Sequence, residues 1–134
     1  MENCIFCKII KGEIPSYKIY EDQYVFACLD ISNDANGHIL VLPKKHCRNV
    51  LDAEGSVLAQ VMKAIKIISN HLVEKCGFEG INILNNNGVC AEQSVLHLHF
   101  HILPRKTGDG LKIFPSLEKN VETIEEIHKK LKIN

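Results

Sequence analysis

Residues 94–103 read Ser94-Val95-Leu96-His97-Leu98-His99-Phe100-His101-Ile102-Leu103. Strict alternation of this kind predicts a β-strand, because successive strand side chains point to opposite faces. His97, His99 and His101 then share one face, while Leu96, Leu98, Phe100 and Ile102 share the other. The apolar face is expected to pack into a core, leaving the imidazole face to meet water, metal or ligand. Imidazole serves as nucleophile, acid or base near neutral pH, and three on one face also make a metal site conceivable. The plain alternative is a polar face on an edge strand. Against it stands the preceding loop, Asn85 to Ser94 (NNNGVCAEQS). Its small and amide residues suit close backbone approach and hydrogen bonding to an anion or sugar.

Working outward, Gly80 to Asn85 reads as a strand and Asn86 to Gln93 as a polar loop. The longest helical pattern begins near Ala53, with Asp52 as its candidate N-cap. Leu58, Val61, Met62, Ile65, Ile68 and Leu72 follow spacings of three and four and so share a face. Gly77 supplies the stop. His38 to Leu42 is an apolar run bounded by Gly37 and Pro43, as in a buried strand. Ser16 to Glu21 and Tyr24 to Asp30 flank a turn near Asp22-Gln23 and read as a hairpin. Cys4 to Lys11 reads as a short helix stopped by Gly12, with Pro15 beyond it. Past a loop at Thr107 to Gly110, Val121 to Leu131 reads as a last helix on Val121, Ile124, Ile127 and Leu131. The sum is an α+β domain: a mainly antiparallel sheet, one long helix, a short N-terminal helix and a C-terminal helix.

The 134 residues suit one domain over 1–134, with a core at about 3–106 and a C-terminal extension at about 107–134. Hydrophobic residues at 46% can build one core without disulfide staples. Sixteen basic and sixteen acidic residues cancel, so the chain lacks the electrostatic footprint of a polymeric nucleic-acid binder or a polybasic membrane anchor. No apolar run approaches the roughly 18–20 residues of a membrane span. Met1-Glu2-Asn3-Cys4 has neither the basic start nor the apolar stretch of an export signal, so a cytoplasmic location is expected.

In that compartment thiols stay reduced. Of six cysteines only Cys4 and Cys7 are close enough to act as a unit. A Cys-x-x-Cys pair is half a zinc site, a redox dithiol or a coincidence. A thioredoxin-like site wants a strand before it, and no room for one exists before Cys4, which favours half a zinc site. Cys28 and Cys76 read as small buried hydrophobes.

His97-Leu98-His99-Phe100-His101-Ile102-Leu103 resembles the His-φ-His-φ-His-φ-φ motif of the histidine-triad superfamily, φ being apolar. FCKIIKGEIPS near the start, Asp30-Ile31, GHILVLPKKH at 37–46 and the Asn-Gly loop resemble the Hint branch and its bacterial members in order and spacing. The region after about Thr107 carries little of this likeness.

The resemblance implies a nucleotide-binding hydrolase that cleaves at the α-phosphorus of purine nucleoside phosphoramidates or related conjugates, through a nucleotidyl-histidine intermediate. By motif position His99 is the nucleophile, with His101 and His38 orienting it, stabilising phosphoryl charge or passing a proton. Asn86, Gln93 and Ser94 match phosphate-side or nucleotide contacts, and Asp30 matches the carboxylate that accepts from ribose hydroxyls. Ile5, Phe6, Ile9 and Ile31 match the apolar base pocket, although packing in the core explains them nearly as well. Cys4, Cys7, His46 and His97 match a structural zinc site, and two thiolates with two imidazoles make a good tetrahedral set. A homodimer with a continuous sheet and a purine nucleotide such as AMP as partner are also implied. The alternatives are a dinucleoside polyphosphate hydrolase and a non-catalytic nucleotide-binding or scaffold protein. One departure stands out: the family usually has Gly where this chain has Glu92, and losing Gly restricts the backbone.

Overall fold

A computed structural model describes residues 3–32 and 37–134; Met1-Glu2, read above for an export signal, lies outside them. Along the chain run α1 (Ile5–Ile10), β1 (Lys18–Glu21), β2 (Val25–Leu29), β3 (Ile39–Pro43), α2 (Gly55–Glu74), β4 (Gly80–Leu84), β5 (Phe100–Arg105) and α3 (Ile124–Leu131). A 3₁₀ turn at Val89–Ala91 interrupts the loop between β4 and β5. The strands form one antiparallel sheet in the order β1-β2-β3-β5-β4, which is the expected α+β architecture.

The period-2 alternation of the strands gives the sheet two different faces. Val25, Ala27, Ile39, Val41 and Ile102 meet Val61, Ala64, Ile65, Ile68 and Leu72 of α2 in the main core. Phe26, Cys28, Leu40 and Leu42 face the other way and form a second core under Phe6 of α1. Burying such side chains stabilises by about 1.5–3 kcal/mol each, so both helices are held mainly by packing. Cys4 caps α1 unusually, its sulfur accepting from the Cys7 N–H at 3.3 Å. Among the described residues no helix is long and apolar enough to cross a membrane.

Three expectations about elements need correction. The long helix starts at Gly55, not near Ala53, and its N-cap Glu54 makes no side-chain cap bond. Asp52 instead accepts from the N–H groups of Arg48 (3.1 Å) and Asn49 (2.9 Å), closing the turn before the helix. On α2, Met62 is exposed, and Val57 and Ala64 complete the buried stripe. The C-terminal helix begins at Ile124, where Thr123 and Glu126 form a capping box; Val121 precedes it and none of its residues is buried.

The largest correction concerns the histidine segment. Only Phe100–Arg105 is regular strand. The ladder with β3 reaches Val41 opposite Phe100, and β4 stops at Leu84 opposite His101, so residues 94–99 run past both neighbours. Their backbone is held otherwise: the Leu98 N–H donates to the Cys47 carbonyl at 2.8 Å, and Asn85 Nδ2 donates to the His99 carbonyl at 2.9 Å. Leu98 and Ile102 do enter the core, but Leu96 is half exposed. The imidazole side is not open to water either, since His97 and His99 lie buried beneath Phe6, ring edge to ring face at centroid distances of 5.9 and 5.0 Å.

Candidate active site and metal centre

Four of the residues singled out above converge although they come from distant parts of the chain. The ligand atoms of Cys4, Cys7, His46 and His97 all lie within 4.8 Å of one another. Nδ1 of His97 is 3.3 Å from Cys4 Sγ, 3.5 Å from Cys7 Sγ and 3.1 Å from His46 Nδ1, and Cys7 Sγ is 3.4 Å from His46 Nδ1. Three of these four separations fall among the edges of a tetrahedron with Zn–S near 2.3 Å and Zn–N near 2.0–2.1 Å, which come to about 3.3–3.8 Å, and the His46–His97 separation is slightly shorter. His97 Nε2 donates to the Pro43 carbonyl at 2.9 Å, so its Nδ1 lone pair faces the sulfurs. That outer hydrogen bond is how a metal-binding imidazole is held in the correct tautomer. Burial keeps His97 neutral, lowering its pKa to about 4. Burial and the neighbouring Cys4 push the Cys7 thiol up to about 11. The donor set therefore fits zinc, and with four protein ligands it has no open position for chemistry.

His99 is built for a different task. Its Nδ1 donates to the His97 carbonyl at 2.8 Å, which leaves the lone pair on Nε2. Burial, the largest influence on this ring, lowers its pKa and favours the neutral form. His101 lies next to it, with ring centroids 5.0 Å apart. His38 Nε2 and His101 Nδ1 are 2.8 Å apart, sharing one proton, and His38 Nδ1 faces Asp30 Oδ2 at 3.7 Å. Asp30, His38 and His101 thus form a polar chain leading to the edge of His99. His38 sits just before β3 and His101 within β5, on neighbouring strands and the same face of the sheet.

The loop before the histidines is a second piece of construction. Gln93 does not offer its amide to a ligand: Oε1 accepts from the Gly88 N–H (2.9 Å) and Asn49 Nδ2 (3.2 Å), while Nε2 donates to the carbonyls of Arg48 (2.7 Å) and Val95 (3.0 Å). Buried and fully bonded, it braces the loop from within rather than supplying a neutral donor through its side chain. Asn86 donates to the Glu92 carbonyl at 3.4 Å and borders a cleft beside His38 and His101. Ser94 is exposed at the loop's end. Glu92 has φ 66°, the left-handed region that favours glycine, and is the only non-glycine in it among the described residues.

Of the four apolar residues matched to a base pocket, Ile5 and Ile31 are exposed, Ile31 at 77%. Phe6 belongs to the second core and Ile9 packs against it. Sequence reading missed Asn49, Asn85 and Asn87. Asn87 accepts from the Val50 N–H at 2.8 Å and donates to Asn85, which holds the His99 carbonyl. The amide-rich run was visible, but its partners at Val50 and His99 were not.

The HIT domain family matches residues 11–108. An uncharacterised HIT-like protein of Methanocaldococcus jannaschii is 46% identical over 129 residues, 96% of this chain and 98% of the relative. The adenosine 5′-monophosphoramidase HNT1 of Saccharomyces cerevisiae is 39% identical, covering 96% of this chain and 80% of the enzyme. The adenylylsulfatase HINT3 of Arabidopsis thaliana is 40% identical, covering 88% of this chain and 60% of the enzyme. Among solved structures, a HIT family member from Bacillus subtilis superposes with a TM-score of 0.83 at 43% identity, covering 96% and 92% of the two chains. A zinc-bound histidine-triad protein from Mycobacterium smegmatis gives 0.79 at 34% identity, covering 87% and 85%.

Proposed function

The chain belongs to the HIT domain family, and on that premise we propose that it hydrolyses purine nucleoside phosphoramidates or related nucleotide conjugates at the α-phosphorus. The observation that carries the reading is the tautomer of His99, whose Nδ1–H is fixed on a backbone carbonyl while a neutral Nε2 lone pair is left to react. In the first step Nε2 forms a bond to phosphorus as the P–N bond to the leaving amine breaks. His101 gives that amine a proton, and His38, backed by Asp30, supplies the proton in turn. Water then attacks the nucleotidyl-His99, its proton returns along the same chain, and the nucleoside monophosphate leaves. Splitting one displacement into two is the benefit of covalent catalysis. The relatives' activities on adenosine phosphoramidate and adenylylsulfate support this substrate class.

On this reading Asp30 accepts from the ribose hydroxyls, Ile5 and Ile31 flank the base with Phe6 and Ile9 behind them, and Asn86 and Ser94 attend the phosphate. Zinc would be held by Cys4, Cys7, His46 and His97. When bound it supplies no chemistry but ties α1 to the segment carrying His99. The working form is proposed to be a cytoplasmic homodimer paired through the edge strand β4. Exposed Ile83 on β4 and Met62 on α2 border one groove and support that face as the junction.

Intact mass spectrometry, after brief mixing with adenosine 5′-phosphoramidate under conditions that preserve P–N bonds, tests the chemistry. A transient nucleotidyl adduct on the wild type, followed by free AMP and absent from His99→Ala, is expected. AMP release by His99→Ala at the wild-type rate would overturn it.

A further inference from the structure

The sheet ends just short of His99. Its last rungs on either side are Val41 opposite Phe100 and Leu84 opposite His101. A longer β4 would offer the His99 carbonyl a main-chain N–H. Here the side chain of Asn85, the residue after β4, supplies the donor instead, with Nδ2 at 2.9 Å from that oxygen. Asn85 Oδ1 accepts from Asn87 Nδ2 at 2.5 Å, and Asn87 Oδ1 accepts from the Val50 N–H at 2.8 Å. Two amides in series thus tie the His99 carbonyl to the turn before α2.

The two ends of this relay leave its polarity no choice. Val50 offers a backbone donor and His99 a backbone acceptor, so each amide must accept on the Val50 side and donate on the His99 side. A carboxylate at either position breaks the series, because it has no hydrogen to pass on. The anchoring turn is itself closed: Asp52 accepts from the N–H groups of Arg48 and Asn49, and Asn49 Oδ1 accepts from the Leu51 N–H at 2.9 Å. The same turn takes the Leu98 N–H on its Cys47 carbonyl at 2.8 Å. The backbone on both sides of the Leu98–His99 peptide is therefore fixed to one turn, while the His99 ring is held by the His97 carbonyl at 2.8 Å.

We propose that Asn85 is a positioning residue for the reaction and that Asn87 acts through it: together they fix the His99 carbonyl and with it the direction in which Nε2 points. The inference rests on the hydrolase reading above. The ring's own bond to the His97 carbonyl sets which nitrogen carries the lone pair, but that bond lets the ring swing with its backbone. Asn85 removes the swing by holding the carbonyl on the same residue. An attacking atom must meet phosphorus in line with the bond that breaks, and a displacement of about 1 Å costs on the order of a hundredfold in rate. Because the relay acts on the nucleophile and not on the nucleotide, its loss is read in kcat and not in affinity for AMP.

The test measures kcat, KM and the single-turnover rate of AMP release from adenosine 5′-phosphoramidate, with AMP affinity by calorimetry. It compares the wild type, Asn85→Ala, Asn87→Asp and the double variant, each well below its melting temperature, where a protein that is merely less stable reacts at full rate. Asn87→Asp keeps the bond from Val50 but cannot donate to Asn85. Asn85→Ala is expected to slow single-turnover release and kcat by about 10- to 100-fold, with KM and AMP affinity little changed. Asn87→Asp should show a smaller loss of the same kind, and should add nothing in the Asn85→Ala background, as for residues that act in series. Additive losses in the double variant, or wild-type rates in both single variants, overturn the proposal. So does a weakened KM and AMP affinity with kcat unchanged, which would make these asparagines nucleotide contacts. If Asn85→Ala does not fold, Asn87→Asp decides alone, and a wild-type rate for it is fatal. Turnover by the wild type separates failure of this inference from failure of the hydrolase reading: with no turnover both fall, and with turnover indifferent to the variants only this inference does.

Discussion

The Nδ1 hydrogen of His99 is held by the carbonyl of His97, 2.8 Å away, while the ring of His97 faces two cysteines and His46. Two histidines separated by one leucine are therefore set for unlike work: the lone pair of one faces a set of zinc-type ligands, and on the proposed reading that of the other attacks phosphorus. The backbone between them joins the candidate metal centre to the proposed nucleophile.

His97→Ala is expected to abolish zinc binding and to lower stability by about 3 kcal/mol, since a fully buried ring and a metal anchor are lost together. The melting temperature should fall by roughly 10 °C. Metal analysis by mass spectrometry and calorimetry check it. Because the Cys7 thiol sits near 11 without metal, binding must displace its proton, so zinc should be easier to chelate as pH falls.

The pH profile of kcat/KM should reflect the buried nucleophile. Protonated His99 has no lone pair on Nε2, so activity falls as pH drops through its pKa. Burial lowers that pKa, which puts the acid limb below the range of an ordinary imidazole. Stopped-flow rates across the acid range test this, and an acid limb at or above pH 6.5, the ordinary histidine value, would contradict it.

Glu92→Gly should stabilise the fold by about 1 kcal/mol, because a left-handed residue with a side chain costs roughly that much. The same change removes a carboxylate from the loop and is expected to tighten AMP binding. Calorimetric titration of both proteins gives the comparison, and weaker binding by the variant would count against it.

Gln93→Leu removes four hydrogen bonds at once and leaves the Gly88 N–H and the Arg48 and Val95 carbonyls without their partner. A loss of roughly 2–4 kcal/mol follows from stranding buried polar groups. Urea unfolding measures it. A variant as stable as the wild type would mean that the loop is held by the asparagines instead.

Ile83→Arg places a charge on the edge of β4 and should convert the proposed dimer to monomer. Analytical ultracentrifugation distinguishes the two. A wild type that sediments as a monomer at all concentrations would remove the premise.

How much of this was legible beforehand depended on distance along the chain. Alternation and helical spacing report on one element at a time, so the hairpin, β3 and most of the buried stripe of α2 could be read directly. What covers a face is decided by another segment. That Phe6 buries His97 and His99 required α1 to fold back across more than ninety residues of sequence. Met62 fits the spacing of three and four yet is exposed, because it lies about 100° around the helix from Val61, past the edge of the stripe formed by Val57, Val61, Ala64, Ile65, Ile68 and Leu72.

The residue types and their order determined the α+β class, the shared face of the histidines and the candidate ligands, since these follow from backbone periodicity and side-chain chemistry. Only the tertiary structure decided that the four zinc-type ligands meet, that Gln93 is consumed inside its loop, and that the C-terminal stretch walls the cleft beside His101. Those outcomes turn on contacts between segments far apart in sequence, and such contacts have no local signature.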